Sequence, residues 1–399
     1  MGLMKTQLAW ASMFALILLF ALTVIFTRSY LGGKVELAFT SGIFSLLLIV
    51  EIAFIWYLVL NFNTQRDTNV LKIVDKTGLD NYVNVYSKKT FNRCKVKPYK
   101  IPTGVSIEAM EFPTATNVFL SGYVWQKYYD GIHDNIERGI FFPDALSKKE
   151  EIIRSYVSQE DGYTLYGWYF RVTIKHTFDY SKYPLDFKDL YLRILPKDFA
   201  KNIILIPDLD AYKYINPSLK PGISAKTTVL GWDIKRSNFV YKVTTYNTSF
   251  GMHDFTCREK TPDLYFNINF TRNFMGTIFS KLMPLIVMLT ILFILIVIGT
   301  NNLDNVSRIL GPVGAFFFAV ILSHVSLREE LIIKDIVYFE YFYITMYLMI
   351  LLIFVNSVFY SREQLYWLVA YKDNLISKLL FWPFFYFLLF TISVVLLLL

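Results

Sequence analysis

Cysteine is nearly absent from this 399-residue chain. The two present, Cys94 and Cys257, form no C-x-x-C motif and are too few to hold a metal alone. Whether they pair as a disulfide stays open; it would require that their region face an oxidising compartment. Histidine is almost as scarce, and its four copies do not cluster. The patterns H-E-x-x-H, G-x-S-x-G and the P-loop do not occur. These absences argue against an enzyme, and no cofactor or metal is expected. Charge is sparse too, at 18% of residues, and most of it lies between 64 and 275. The excess of +8 is spread through that region and the short loops, with no basic helix or stripe. No nucleic-acid partner is expected from such scatter.

What is abundant is apolar surface. Hydrophobic residues make up 54% of the chain, more than soluble domains carry. A helix needs roughly 20 apolar residues to cross a bilayer. Six segments qualify: 8–27, 37–61, 277–299, 309–327, 336–359 and 379–399. The first is long for a signal peptide and has no A-x-A site after it, so a retained helix is expected. Glu51 interrupts the second segment; a protonated or helix-packing role is the simpler reading, an ion contact the other.

Six spans with the polar region between the second and third put both termini on that region's side. The opposite loops hold Arg28, Lys34, Arg308, Arg362, Lys372 and Lys378. The near side holds Lys5, Arg328 and Lys334, diluted by Glu329, Glu330 and Asp335. The positive-inside rule then makes the polar region extracytoplasmic. A multi-pass protein of the cell membrane, of bacterial inner-membrane type, is the expected setting.

Residues 98–275 read as strands. Alternation runs through 117–127, 163–175, 189–195, 202–206, 237–245 and 264–271, rich in Tyr, Phe, Val, Ile and Thr. Asp161-Gly162, Asn216-Pro217 and Pro221-Gly222 punctuate them. Many short strands with such turns predict a β-sandwich. Residues 64–97 read as a linker with some helix.

The run FDYSKYPLDFKDLYLRI at 178–194 resembles the signature loop of pentameric ligand-gated ion channels. Its core is Tyr183-Pro184-Leu185-Asp186, without the bracketing cysteines of the animal receptors, as in the prokaryotic branch. NIILIPDLDAY at 202–212, GWDI at 231–234, TGVSIEAMEF at 103–112 and SGYVWQKYYD at 121–130 are similar to strands of those channels. Arg272 and Pro284 fall at the family's pre-membrane arginine and first-helix proline. The resemblance covers about 98–399; residues 1–97 have no counterpart in the standard subunit.

The resemblance implies an immunoglobulin-like extracytoplasmic sandwich (98–275) followed by a four-helix transmembrane domain (276–399). Two additional helices (1–63) and the linker precede them. It implies a homopentamer in the lipid bilayer that passes inorganic ions when protons or a small-molecule ligand bind. Helix 309–327 is then the pore helix, with Ser307 at its cytoplasmic mouth. Helical spacing gives one stripe: Leu310, Gly314, Phe317, Ile321, His324 and Arg328. Phe317 takes the gate position, where a ring of apolar side chains excludes water. Pro312, Gly311 and Gly314 are expected to kink that helix or hinge it.

Coupling between sandwich and pore is implied for Asp186, Pro184, Arg272 and a carboxylate, Glu111 first and Glu108 second. Ligand contacts are implied for Phe142, Trp168, Phe199, Phe250 and Phe255, in loops where aromatic faces hold cations. His253 and His324 are candidate pH sensors. A non-conducting sensor or scaffold that keeps the channel fold is the alternative.

Overall fold

The computed structural model describes residues 33–62, 71–73, 75–146, 151–244, 246–251, 262–298, 304–331, 335–361 and 374–398. The expected first span, 8–27, lies outside them, as do His253, Cys257, Phe255 and the side chain of Cys94. The chain divides into a β unit (66–179 and 187–273) and a helical unit (1–65, 180–186 and 274–399).

Among the described residues the β unit contains two five-stranded sheets. One is ordered β1 (Leu71–Lys72), β9 (Trp232–Val243), β10 (Pro262–Arg272), β7 (Phe187–Pro196) and β4 (Ile140–Phe141). The other is ordered β5 (Glu151–Glu160), β6 (Tyr163–Lys175), β3 (Asn117–Tyr129), β2 (Tyr99–Thr114) and β8 (Ile203–Pro207). All neighbours are antiparallel except β2 and β8, so the second sheet is mixed. Alternate side chains fill a shared core. Val105, Val124 and Phe170 come from one sheet, and Leu190, Ile194, Phe266 and Ile268 from the other. Burying each such side chain stabilises by roughly 1.5–3 kcal/mol.

The stretch expected as a linker is part of this unit. Helix α2 (Lys76–Cys94) begins at Asp75, whose carboxylate accepts from Gly78 N at 2.9 Å. It ends where Lys95 turns left-handed and its N–H returns to Phe91 O. Leu79 and Val83, four residues apart on one face, are buried in the core. Tyr82 stacks on Tyr241 at 5.1 Å. The preceding β1 adds to the sheet edge through Leu71–Tyr241 and Lys72–Val240.

Among the described residues, five helices are long and apolar enough to cross a membrane. They lie in α1 (Gly33–Phe62), α3 (Phe274–Ile298), α4 (Asp304–Leu331), α5 (Glu340–Ser361) and α6 (Leu375–Leu398). This is a membrane protein. Helix α4 continues on both sides of Pro312. One lost amide bond is tolerated in a membrane helix, where neighbouring groups re-satisfy the backbone. A side chain added at Gly311 or Gly314 would meet no neighbouring atom of this chain, so packing within the chain does not require either glycine.

Helix α1 packs along α6. Ser41 Oγ donates to Leu379 O at 2.5 Å. Further along, Trp56 Nε1–H donates to the Tyr338 hydroxyl at 2.8 Å, which lies 2.7 Å from Ser393 Oγ. Ser393 closes the chain on Leu389 O at 2.7 Å. Polar bonds of this kind between apolar helices are worth about 1–2 kcal/mol. Tyr338→Phe should therefore lower the stability of the detergent-solubilised protein by about that amount, leaving Trp56 without its acceptor. Tyr57→Phe, on a ring 57% exposed, should change little. Equal thermal midpoints for both variants would mean the chain of bonds does not tie α1 in.

Candidate functional site

The loop Tyr180–Asp186 clusters with the helices, although β6 and β7 lead into and out of it. Tyr338 N donates to Ser181 O at 2.8 Å, and the Tyr183 ring meets Phe339 edge-on at 6.3 Å. Tyr183, Leu185 and Asp186 are buried there, and the Tyr183–Pro184 bond is cis. The other expected coupling residues, Arg272 and Glu111, belong to the β unit.

Arg272 owes its place to strand register. It faces Trp232 across the β10–β9 ladder, and its guanidinium lies 4.2 Å from the indole centroid. Lys188 approaches the same indole at 4.5 Å. Lys188 shares the inward parity of Leu190, Leu192 and Ile194 on β7, which explains why it is only 3% exposed. Phe112 and Phe178 complete a cage around its ammonium at 4.4 and 4.3 Å. Such contacts strengthen when the cation is desolvated. His176 stacks on Phe178 at 4.5 Å. Burial pulls its pKa down; Thr177 O opposes this and Lys188 adds to it. Glu111 is exposed on β2 and pairs in register with Phe119; Glu108 is exposed too and bonds Ser106 at 3.1 Å. The residues that reading by motif missed are therefore Lys188, Trp232, Phe112 and Phe178. The alternation of β7 carried the signal for Lys188.

The expected ligand aromatics separate into two groups. Phe142 and Trp168 are core residues, 3% and 8% exposed, because their side chains point between the sheets. They are corrected from ligand contacts to packing. Phe199 and Phe250 do meet, at 5.5 Å, and Tyr246 joins them at 6.1 and 5.2 Å. Behind this trio Arg193 bonds both Tyr246 and the buried Asp263, the latter at 2.6 Å. Burial works against the charge on Arg193, but Asp263, with Tyr265 and Tyr246, holds its pKa above the usual value.

On α4, Val313, Val320 and Leu327 are buried against the chain's own helices. The expected stripe stands on the flank of that seam rather than opposite it. Phe317 meets Tyr347 of α5 at 5.9 Å. His324 lies 3.1 Å from the Tyr347 hydroxyl and 3.3 Å from Glu340, and stacks on Tyr343. Arg328 pairs with Glu340 at 3.0 Å. Leu310, Gly314 and Ile321 are half-buried, and Ser307 lies in the helix's first turn. The face turned away from the seam carries Gly311, Ala315, Phe318, Leu322, Val325 and Glu329, all exposed. Phe318 is 66% and Leu322 70% exposed, against 40% for Phe317. One residue is about 100° of helix, so the outward face is displaced by one position from the expected stripe.

No family model matches the chain, and no curated protein matches it.

Proposed function

We propose that the chain is a subunit of a homopentameric ligand-gated ion channel, with an extracytoplasmic β-sandwich, a channel bundle (α3–α6) and α1 as an added rim helix. The observation that carries this reading is the character of α4. Of the five spans it has the lowest mean hydropathy, 1.8, and the smallest buried share, 17%. A helix that is both least apolar and least covered by its own chain is poorly suited to lipid. Other copies packed around a shared axis would cover its flanks and leave one face on water.

The pore ring in this reading is the outward face, Gly311, Ala315, Phe318, Leu322, Val325 and Glu329. Phe318 supplies the dry constriction and Glu329 a carboxylate ring at the C-terminal end of α4. The signature loop gives the coupling route, since it links β6 to β7 and yet packs on the start of α5. Phe199, Tyr246 and Phe250 form the candidate ligand cluster.

The experiment is a paired one. The mass of the solubilised particle should correspond to five copies, and reconstituted protein should pass current under some ligand or proton condition. A monomer or dimer ends the reading. A pentamer sealed across a broad ligand and pH screen favours the scaffold.

A further inference from the structure

Helix α2 and the start of β2 carry the densest positive charge in the chain. Residues 88–100 hold Lys88, Lys89, Arg93, Lys95, Lys97 and Lys100 and no acid. This local run modifies the impression of evenly scattered charge. Where α2 meets β2 and the turn after β3, the β unit has a cavity of about 920 Å³. Lys88, Lys97 and Lys100 stand around it, and no carboxylate lines it. Among the described residues none of the three lysines forms an ion pair.

Two polar side chains at the cavity, Ser87 and His133, have a donor without an acceptor among the described residues. Ser87 Oγ is buried with no hydrogen-bond partner. His133 is 1% exposed, and its Nδ1 accepts from Tyr129 N at 3.0 Å. In the neutral ring the proton therefore sits on Nε2, which has no partner among the described residues. Burial, with Arg138 second, holds the His133 pKa below its usual value, and Asp134 opposes them. The ring thus stays a neutral donor at pH 7. Tyr99 and Tyr129 pack their rings on His133 at 6.2 and 5.7 Å, so the same cavity offers aromatic wall.

We propose that this cavity binds a small organic anion. Its negative group sits among Lys88, Lys97 and Lys100, and its apolar body lies against Phe91, Tyr99 and Tyr129. The volume falls in the range of small-molecule sites. Three lysine ammoniums without a lining carboxylate favour an anionic, acceptor-rich group, a carboxylate or a phosphate, while Asn84 and Asn92 can donate or accept beside it. The concave aromatic wall favours an organic body over an inorganic ion. This site is separate from the Phe199–Tyr246–Phe250 cluster and does not depend on whether the protein conducts.

The test uses the full chain in detergent at pH 7, with phenyl phosphate as probe, followed by titration calorimetry. Saturable binding is expected, with benzylamine, the cation of similar body, not binding. Inorganic phosphate should bind at least tenfold more weakly, since it lacks the ring. Lys97→Glu should weaken phenyl phosphate at least tenfold, and Lys97→Gln about threefold. Lys226→Glu, the same charge change at an exposed lysine outside the cavity, should leave affinity within twofold. Ser87→Ala should weaken binding severalfold with an unchanged thermal midpoint. No saturable binding overturns the proposal. So does equal weakening by Lys97→Glu and Lys226→Glu, or equal affinity for phosphate and phenyl phosphate, which would mark a charge patch rather than a site.

Discussion

Phe318→Ala should raise the resting conductance of the reconstituted protein severalfold or more, and Phe317→Ala should not. Five phenyl rings at one level leave a gap too narrow and too apolar for hydrated ions, and alanine opens it and removes the dewetting surface. The two residues are adjacent and about 100° apart on the helix. Phe318 points away from the buried seam of Val313, Val320 and Leu327, whereas Phe317 leans on Tyr347. Losing Phe317 should therefore cost packing, less than the ~3–5 kcal/mol of a fully buried phenylalanine. Leak in planar bilayers is the measurement. A leaking Phe317→Ala beside a tight Phe318→Ala would restore the stripe read from spacing alone. Two tight variants would mean that α4 holds no closed gate at this level.

Trp232→Ala should destabilise the β unit by about 3–5 kcal/mol, the range for removing a buried aromatic. The indole is 9% exposed and carries a cation on each of two approaches, Lys188 and Arg272. Its loss leaves Lys188 buried beside Phe112 and Phe178 without the indole face. Trp232→Phe keeps a ring at the site and should lose less than half as much. Urea unfolding followed by amide exchange in β9 and β10 reads the difference. An alanine variant within 1 kcal/mol of the parent, on the scale of an exposed substitution, would show that the cage is not a structural anchor.

The membrane spans were legible because apolar length is a property of composition. Segment 37–61 matches the span Val35–Asn61, and 277–299 matches Phe274–Ile298. Strands at 117–127 and 163–175 were legible through their period of two. Three things were less so. The rotation of α4 depends on which side its own chain covers, and that is decided by Glu340 and Tyr347 on another helix. The membership of α2 and β1 in the β unit depends on Tyr241, far along the chain. Phe142 and Trp168 looked like loop aromatics because composition alone cannot tell an inward ring from an outward one.

The pairing of β1 with β9 also bears on how the chain is made. Leu71 waits for Tyr241, about 170 residues later, and the Tyr99 end of β2 waits for Ile203. At ordinary translation speeds of ~5–20 residues per second, the first gap lasts roughly 10–30 s. Throughout that time Leu79 and Val83 have no finished core to enter. A ribosome pausing before residue 203 holds a nascent strand without its parallel neighbour, which makes that interval the one in which a chaperone has most to protect.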